Sequence, residues 1–243
     1  MKAMIFAAGL GTRLRPLTDN QPKALVKING KTLLEIVIQR LKKFGVQDMI
    51  INVHHHAQMI IDFLKSKNNF DLNIAISDET GMLLDTGGGL QKAAHFFEDG
   101  KPFIVHNVDI LSNIDLGKMM DAHIQSGAIA TLSTRHRATS RYLLFNKKNI
   151  LYGWMNVRSG EMILSRKKKG KLSLRAFSGI HVIDPSIFDL MKKRKGKFSI
   201  IDVYLEVAAH HKIIAYPHDK DVWLDVGKLE SIEEAKKILK KIL

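Results

Sequence analysis

The chain contains no cysteine among its 243 residues, and this absence excludes disulfide bridges, thiolate zinc sites and cysteine nucleophiles. Its apolar runs are all shorter than the roughly 20 residues that a membrane-spanning helix needs. The N-terminus, Met-Lys followed at once by a strand-like run, also lacks the layout of a signal peptide. We therefore expect a cytoplasmic protein that has no membrane partner.

Acidic residues are too few to balance the basic ones: 24 aspartates and glutamates face 38 lysines and arginines, giving a formal net charge of +14. This balance suits nucleic acids or anionic small molecules. The basic residues are scattered, apart from a dense run at residues 166–171 between two strand-like segments. No aromatic platform for stacking bases accompanies that run. We interpret it as a solvated hairpin tip and expect small-molecule ligands, not nucleic acid.

The apolar pattern changes once along the chain. Up to about residue 133, apolar runs at residues 3–7, 49–53, 72–76, 103–106 and 128–133 alternate with stretches of helical spacing. This alternation predicts an α/β fold of the Rossmann-like kind, with a mostly parallel sheet covered by helices on both faces. Between residues 141 and 181, short strands separated by turns predict antiparallel pairing. Helical spacing returns at residues 186–192, 199–210 and 229–242, around a strand at 213–216. We expect one domain over residues 1–243, divided into a core (1–135) and a smaller antiparallel lid with C-terminal helices (about 136–243).

The first strand-like run passes directly into a loop with two glycines, Gly9 and Gly11, followed by Arg13. Glycines allow the backbone to approach a ligand and to point its N–H groups at phosphate oxygens, and Arg13 and Lys23 can neutralise phosphate charge. The spacing fits neither the dinucleotide fingerprint nor the P-loop, which need a third glycine and a Gly-Lys-Ser/Thr sequence respectively. The loop therefore predicts a polyphosphate site at the carboxyl end of the first strand, and a mere tight turn is the alternative.

The segment Ala-Ala-Gly-Leu-Gly-Thr-Arg-Leu-Arg-Pro-Leu-Thr at residues 7–18, with Pro-Lys-Ala-Leu at 22–25, resembles the signature of the sugar-1-phosphate nucleotidyltransferases. The resemblance implies an enzyme that makes an NDP-sugar and pyrophosphate from an NTP and a sugar 1-phosphate, with Mg²⁺ as cofactor. It implies that Arg13 holds the leaving pyrophosphate and that Lys23, a solvent-facing loop residue, bridges the reacting phosphates. Catalytic roles fall on Arg13, Lys23 and Asp109. The implied nucleotide-binding residues are Ala7, Ala8, Gly9, Gly11, Thr12, Arg13, Lys23, Asp85, Gly87 and Gly88.

A second glycine cluster, Asp-Thr-Gly-Gly-Gly at residues 85–89, begins a predicted helix with Asp85 or Thr86 as its cap. Three consecutive glycines are unfavourable at a bare helix start because they lose much backbone entropy. We expect Gly87 and Gly88 to let a base or sugar lie flat on the backbone, as the resemblance implies. A close-packed loop is the alternative.

Two aspartates are candidate metal ligands. Asp109 comes just past an apolar strand, where a buried unpaired carboxylate would be costly and a hydrated divalent cation would be a natural partner. The family usually has Gly-Asp there, and Val108 replaces the glycine. The resemblance implies that Asp225, in Asp-Val-Gly, is the second ligand, so that Asp109 and Asp225 would hold Mg²⁺. A surface-loop role for Asp109 and a turn-forming role for Asp225 are the alternatives.

The remaining candidates are weaker. The resemblance implies that Asn156, Ser178 and Gly179 contact the sugar, and a strand kink is the alternative at the latter two. The histidines at residues 54–56 are better interpreted as a polar strand–helix junction than as a zinc site, since adjacent side chains on a strand diverge.

The compact length and the Asp-Thr-Gly-Gly-Gly segment most resemble the uridylyltransferases that act on N-acetylmuramate 1-phosphate in cell-wall recycling. Guanylyltransferases for mannose or heptose 1-phosphate are the alternative, and a nucleotide-binding regulatory protein without catalysis is a remote one. We expect a monomer or a small homo-oligomer.

Overall fold

The computed structural model describes residues 1–167 and 170–242, so Lys168 and Lys169 of the expected hairpin tip lie outside the described residues. The strands are β1 (Lys2–Phe6), β2 (Lys27–Ile28), β3 (Lys31–Thr32), β4 (Asp48–Val53), β5 (Asn73–Asp78), β6 (Phe103–Asn107), β7 (Ile110–Ser112), β8 (Ala130–Arg135), β9 (Arg141–Phe145), β10 (Leu151–Asn156), β11 (Met162–Leu164), β12 (Ser173–Ile183), β13 (Ile213–Pro217) and β14 (Trp223–Asp225). The α-helices are α1 (Leu33–Lys43), α2 (Ala57–Ser66), α3 (Asp85–Lys92), α4 (Leu116–Ser126), α5 (Ile187–Met191), α6 (Ile200–Val207) and α7 (Glu230–Ile238). Within the described residues, none of these helices has the length and apolarity needed to cross a membrane.

Contacts divide the chain into two compact units. The first unit comprises Met1–Leu84, Val105–Ile114 and Asp221–Leu243, and the second comprises Asp85–Ile104 and Asp115–Lys220. This division differs from the expected one at residue 135. The segment with α3 belongs to the second unit, and the C-terminal helix α7 returns to the first.

The strands of the first unit follow the order β6-β1-β4-β5, with β6 contributing its residues from Val105 onward. Strands β1 and β4 are parallel with Ile5 opposite Ile51, and β4 and β5 are parallel with Ile51 opposite Ile76. Nearly every side chain of β1 and β4 is buried. Continuous apolar runs of this kind are typical of parallel strands that are covered on both faces. The predicted α/β fold of the Rossmann-like kind, with its mostly parallel sheet and helices, is confirmed.

The helix after β3 shows why the local sequence forms this layer. Thr32 caps α1, since its hydroxyl accepts the N–H of Glu35 at 3.0 Å. Apolar residues at helical spacing then cover one face, and Leu33, Ile36 and Leu41 are fully buried. Gly45, with φ +80, follows the last turn and ends the helix as predicted.

A two-stranded antiparallel sheet in the first unit joins distant parts of the chain. Strand β14 pairs with β7, with Trp223 opposite Ser112 and Asp225 opposite Ile110. The N–H of Val226 also donates to the carbonyl of Asp109 at 2.8 Å. This pairing places Asp225 beside Ile110, the residue that follows Asp109. Helix α7 follows β14 in the chain.

The second unit has an antiparallel sheet with strand order β11-β10-β9-β12. Strand β8 pairs antiparallel with β12, and β13 pairs parallel with β8. The predicted antiparallel region is therefore confirmed. A stacked aromatic cluster lies in the same unit, where the rings of Phe97 and Phe103 are 3.7 Å apart and that of Phe188 lies 5.8 Å from Phe103.

Candidate functional site

The glycine loop, residues 8–18, is closed by hydrogen bonds within itself. The carbonyl of Gly11 accepts the N–H of Leu14 at 2.9 Å and the hydroxyl of Thr18 at 2.8 Å. Gly11 has φ +67, in the left-handed region that favours glycine. By contrast, no described atom lies within 4 Å of the position that a Cβ on Gly9 would take. Gly11 is therefore required by the loop itself, whereas Gly9 leaves the loop surface open.

The backbone N–H of Ala7 is engaged within the protein, and the nucleotide-binding role expected of Ala7 and Ala8 stays a prediction. Ala7 and Ala8 are buried, and the N–H of Ala7 donates to Asn52 Oδ1 at 2.7 Å. That N–H is therefore used by the protein itself and is not available to a nucleotide. Thr12 and Arg13 lie in the short 3-10 turn that follows, and both are exposed.

Lys23 forms an ion pair with Asp109. Lys23 is buried, at 9% exposure, so the expectation of a solvent-facing lysine is wrong. It follows Pro22 at the start of a short 3-10 turn, and Asp109 follows β6. The pair thus joins the segment after the glycine loop to the end of β6, and each charge compensates the desolvation of the other.

Asp225 and Arg13 meet beside Gly227. A Cβ on Gly227 would stand 2.6 Å from Asp225 Oδ1 and 3.0 Å from Arg13 Nη2. Both charged groups therefore approach the same point on the backbone, and a side chain at residue 227 would displace them. Within the first unit, the fold brings together four residues that are far apart in sequence: Arg13, Lys23, Asp109 and Asp225.

These four side chains form a charged cluster. The carboxylate of Asp109 lies beside Lys23, and that of Asp225 lies beside Arg13. The described residues contain no group of three or more histidine, cysteine or acidic side chains with the geometry of a metal site. Two carboxylates alone are nevertheless the number that Mg²⁺ commonly takes from a protein, with phosphate and water oxygens completing its coordination. The donor set of Asp109 and Asp225 fits that chemistry.

A buried polar network beneath the glycine loop is missing from the sequence-based candidates. Asn52 Nδ2 donates to Glu79 Oε1 at 2.7 Å, and Glu79 Oε2 accepts the N–H of Leu84 at 3.0 Å. Asn52 and Glu79 are 3% and 1% exposed. A signal was present, because Asn52 interrupts the apolar run of β4 and a buried amide needs partners.

The histidines after β4 serve as the predicted junction. His56 lies at the N-terminus of α2 with φ +54, and His54 Nδ1 lies 2.6 Å from the carbonyl of Glu79. Because a carbonyl only accepts, His54 carries its proton on Nδ1.

In the second unit, the glycines of α3 are packed against Phe198. The carbonyl of Phe198 accepts the N–H groups of Gly87 and Gly88 at 2.9 and 3.3 Å. A Cβ on Gly87 would clash with the Phe198 ring and lie 2.9 Å from its carbonyl oxygen. At Gly87 the close-packed alternative therefore explains the glycine. Asp85 does start the helix, with φ +61, and its Oδ1 accepts the N–H of Thr86 at 2.6 Å.

Each of the three residues expected to contact the sugar has a role in the local structure of the protein. Ser178 is buried, and its hydroxyl lies 2.7 Å from His218 Nε2. Gly179 has φ +78, at an irregularity in the pairing of β12 with β8, as the strand-kink alternative requires. Asn156 Oδ1 accepts the N–H of Arg158 at 3.0 Å in the turn between β10 and β11. The sugar-binding role of these residues stays a prediction.

Two buried histidines are held neutral. Burial lowers the pKa of His106 on β6 from 6.5 to about 4, although its bond to the Asn107 carbonyl acts in the opposite direction. Burial, followed by the charge of Arg135, lowers the pKa of His218 to about 4. Neither side chain adds positive charge at neutral pH.

Known proteins are similar to the chain in sequence and in fold. The profile of the nucleotidyl transferase family matches residues 2–242. An N-acetylmuramate alpha-1-phosphate uridylyltransferase of Caulobacter vibrioides is 30% identical over 93% of this chain and 91% of its own length. A mannose-1-phosphate guanyltransferase of Yarrowia lipolytica is 28% identical over 94% of this chain and 61% of its own length. The crystal structure of HddC from Yersinia pseudotuberculosis complexed with GMP-PN has a TM-score of 0.77 at 23% identity, covering 97% of this chain and 98% of that one. The chain therefore belongs to the nucleotidyl transferase family, among the sugar-1-phosphate nucleotidyltransferases.

Proposed function

We propose that the chain transfers a uridylyl group from UTP to N-acetylmuramate 1-phosphate and releases pyrophosphate. The observation that carries the proposal is the charged cluster in the first unit. Lys23 pairs with Asp109, Asp225 lies opposite the residue after Asp109, and Arg13 approaches Gly227 beside Asp225. Two cations and two carboxylates beside an open glycine loop suit a reaction between two phosphates. The product is a nucleotide sugar.

The reaction needs charge neutralisation more than a protein nucleophile. A phosphate oxygen of the sugar 1-phosphate attacks the α-phosphorus of UTP in line, and pyrophosphate leaves on the opposite side. The attacking group is itself the nucleophile, so positioning and electrostatic stabilisation supply the catalysis. Lys23 bridges the α-phosphate and the attacking phosphate, and the exposed Arg13 holds the leaving pyrophosphate.

Asp109 and Asp225 would hold Mg²⁺, which supplies Lewis-acid charge to the phosphate oxygens when it is bound. Asp109 also keeps the Lys23 ammonium in place. Because an ammonium donates three hydrogen bonds, Lys23 can keep Asp109 as a partner and still donate to a phosphate. This shared use explains why a buried lysine is placed beside a polyphosphate loop.

The choice of base and sugar follows the relatives. The uridylyltransferase of Caulobacter vibrioides matches this chain over nearly its full length, whereas the guanyltransferase of Yarrowia lipolytica is matched over 61% of its own length. We therefore place uridylyl transfer first. Transfer of a guanylyl group to mannose 1-phosphate or heptose 1-phosphate is the second candidate, because the Yarrowia relative is 28% identical over 94% of this chain.

The test is a pyrophosphate-release assay with the four ribonucleotides and dTTP against a panel of sugar 1-phosphates. We expect the highest kcat/KM for UTP with N-acetylmuramate 1-phosphate. Competition between UTP and GTP in one reaction then measures the base preference directly. A clear preference for GTP would leave the reaction class in place and refute the uridylyl assignment.

A further inference from the structure

The polar network under the glycine loop has a fixed order of hydrogen-bond donors and acceptors. It begins at the N–H of Ala7, passes through Asn52 and Glu79, and ends at the N–H of Leu84. We call this series of three hydrogen bonds the Asn52–Glu79 relay. All of its atoms belong to the first unit.

The ends of the relay are both backbone donors. Together with one N–H of the Asn52 amide, they are three donors that need acceptors. Asn52 Oδ1 provides one acceptor, so both oxygens of Glu79 must accept. The two carboxyl oxygens of Glu79 have that capacity, and the amide orientation of Asn52 is fixed by its two partners.

The burial of the relay makes each of these bonds matter. Asn52 and Glu79 are almost fully buried, so water does not replace a lost partner. In the pairing of β1 with β4, Asn52 lies opposite Phe6, the residue that precedes Ala7. The N–H of Glu79 donates to the carbonyl of Val53 at 2.8 Å, which ties the segment after β5 to the end of β4.

We propose that Asn52 and Glu79 are positioning residues that fix where the glycine loop leaves β1, and thereby set its affinity for the nucleoside triphosphate. The N–H of Ala7, directly before the loop, is held by the Asn52 side chain of the neighbouring strand. The relay connects that departure point to the ends of β4 and β5. We assign neither residue a direct contact with the reacting atoms. The inference rests on the proposed function only in taking a nucleotide as the ligand of the loop.

Reciprocal substitution tests the relay. Asn52→Asp alone sets two carboxylates against each other, and Glu79→Gln alone sets an NH₂ group against an N–H donor. The double variant Asn52→Asp/Glu79→Gln restores every bond, because the introduced glutamine would donate from its Nε2 to the new carboxylate and accept from Leu84 at its Oε1. We expect each single variant to raise the Kd for UTP about tenfold or more, as loss of one buried hydrogen-bond partner does. The double variant should return to within about threefold of the wild-type Kd.

A matched control lies on the same sheet. Asn73 Nδ2 donates to Asp48 Oδ1 at 3.0 Å, and these two residues pair at the amino ends of β5 and β4. Asn73→Asp makes the same chemical change away from the loop, and we expect it to leave the Kd for UTP unchanged.

Calorimetric titration with UTP, without sugar phosphate, gives the Kd, and thermal unfolding gives Tm. Single variants that lower Tm but keep the wild-type Kd would overturn the proposal, since the relay would then only stabilise the fold. A double variant that binds no better than the weaker single would also overturn it. If a single variant does not fold, the double variant decides: near-wild-type Kd supports the relay and weak binding refutes it. A wild-type protein that binds UTP but releases no pyrophosphate would refute the proposed function and leave this test intact, whereas one that binds no nucleotide would refute both.

Discussion

Lys23 and Asp109 are separated by 86 positions in the chain, yet their side chains form a direct ion pair. The side chain of Lys23 is 11% exposed and that of Asp109 is 21% exposed. Each group therefore has little water around it, and the removal of either leaves the other charge poorly compensated.

This pairing predicts two effects of Lys23→Ala. The loss of a well-placed positive charge at the reacting phosphates should lower kcat by about a hundred- to a thousandfold, by comparison with the removal of an oxyanion-hole donor. The Tm should also fall, because Asp109 loses its partner. Steady-state kinetics and thermal unfolding measure the two effects. Lys27→Ala, at an exposed position of β2, is the control and should change neither. Near-wild-type kcat at saturating substrate would exclude the bridging role.

The metal proposal predicts that Asp109→Asn and Asp225→Asn each abolish activity at ordinary Mg²⁺ concentrations. Asparagine keeps the size of the side chain but removes the charge that attracts a divalent ion. High Mg²⁺ should restore part of the activity of both variants, and a titration of rate against Mg²⁺ concentration measures this. Asp109→Asn should melt below the wild type, since Asp109 pairs with the buried Lys23. Asp121→Asn, at an exposed position of α4, serves as the control. Full activity in dilute Mg²⁺ would remove the substituted residue from the site.

Gly227 predicts a site-specific effect of a single methyl group. In Gly227→Ala, the new Cβ would force Asp225 Oδ1 or Arg13 Nη2 to move. A displacement of about 1 Å at a reacting centre can cost on the order of a hundredfold in rate, so we expect a fall of that size in kcat/KM. Gly81→Ala, where no described atom lies within 4 Å of the new Cβ, is the matched control. Equal kcat/KM values for the two variants would show that the close approach of Asp225 and Arg13 to Gly227 does not affect the reaction rate.

His106 predicts a loss of stability on acidification. Its pKa is about 4 in the folded protein and 6.5 as the reference value, so the unfolded chain binds more protons between these values. The free energy of unfolding must therefore fall as the pH decreases from about 6.5 towards 4, by up to about 3 kcal/mol from this group. In His106→Gln, the free energy of unfolding should fall less between about pH 7 and about pH 5 than in the wild type, as measured by urea unfolding at both pH values. His95→Gln, at an exposed position, should keep the wild-type slope. Parallel slopes for all three proteins would contradict the prediction.

Local pattern predicted the layers of the fold but not the short pairings. The strands β1, β4 and β6 could be found because their apolar runs are continuous, and α1 because its cap and its terminal glycine flank a periodic stretch. Strands β7 and β14 have three residues each and depend on each other across a long stretch of sequence. No local signal identifies such a pair.

The candidate site shows the same limit. Motif resemblance pointed to Lys23 and Asp109, which the structure brings together, but it gave no sign that Lys23 is buried. Burial depends on what packs around the residue, not on its neighbours in sequence. Likewise, Gly87 lacks a side chain because Phe198 lies against it, and that contact is invisible until the chain is folded. The cytoplasmic location and the oligomeric state stay predictions.

The hydrogen bonds from Leu14 and Thr18 to the Gly11 carbonyl bear on how the loop would bind the phosphate groups that we propose as its ligand. A loop that is closed by its own hydrogen bonds has already lost part of its conformational entropy when the chain folds. If the loop binds phosphate as proposed, less of the interaction energy is spent on immobilising these residues. Attraction between a polyanionic ligand and a chain of net charge +14 would also favour their encounter.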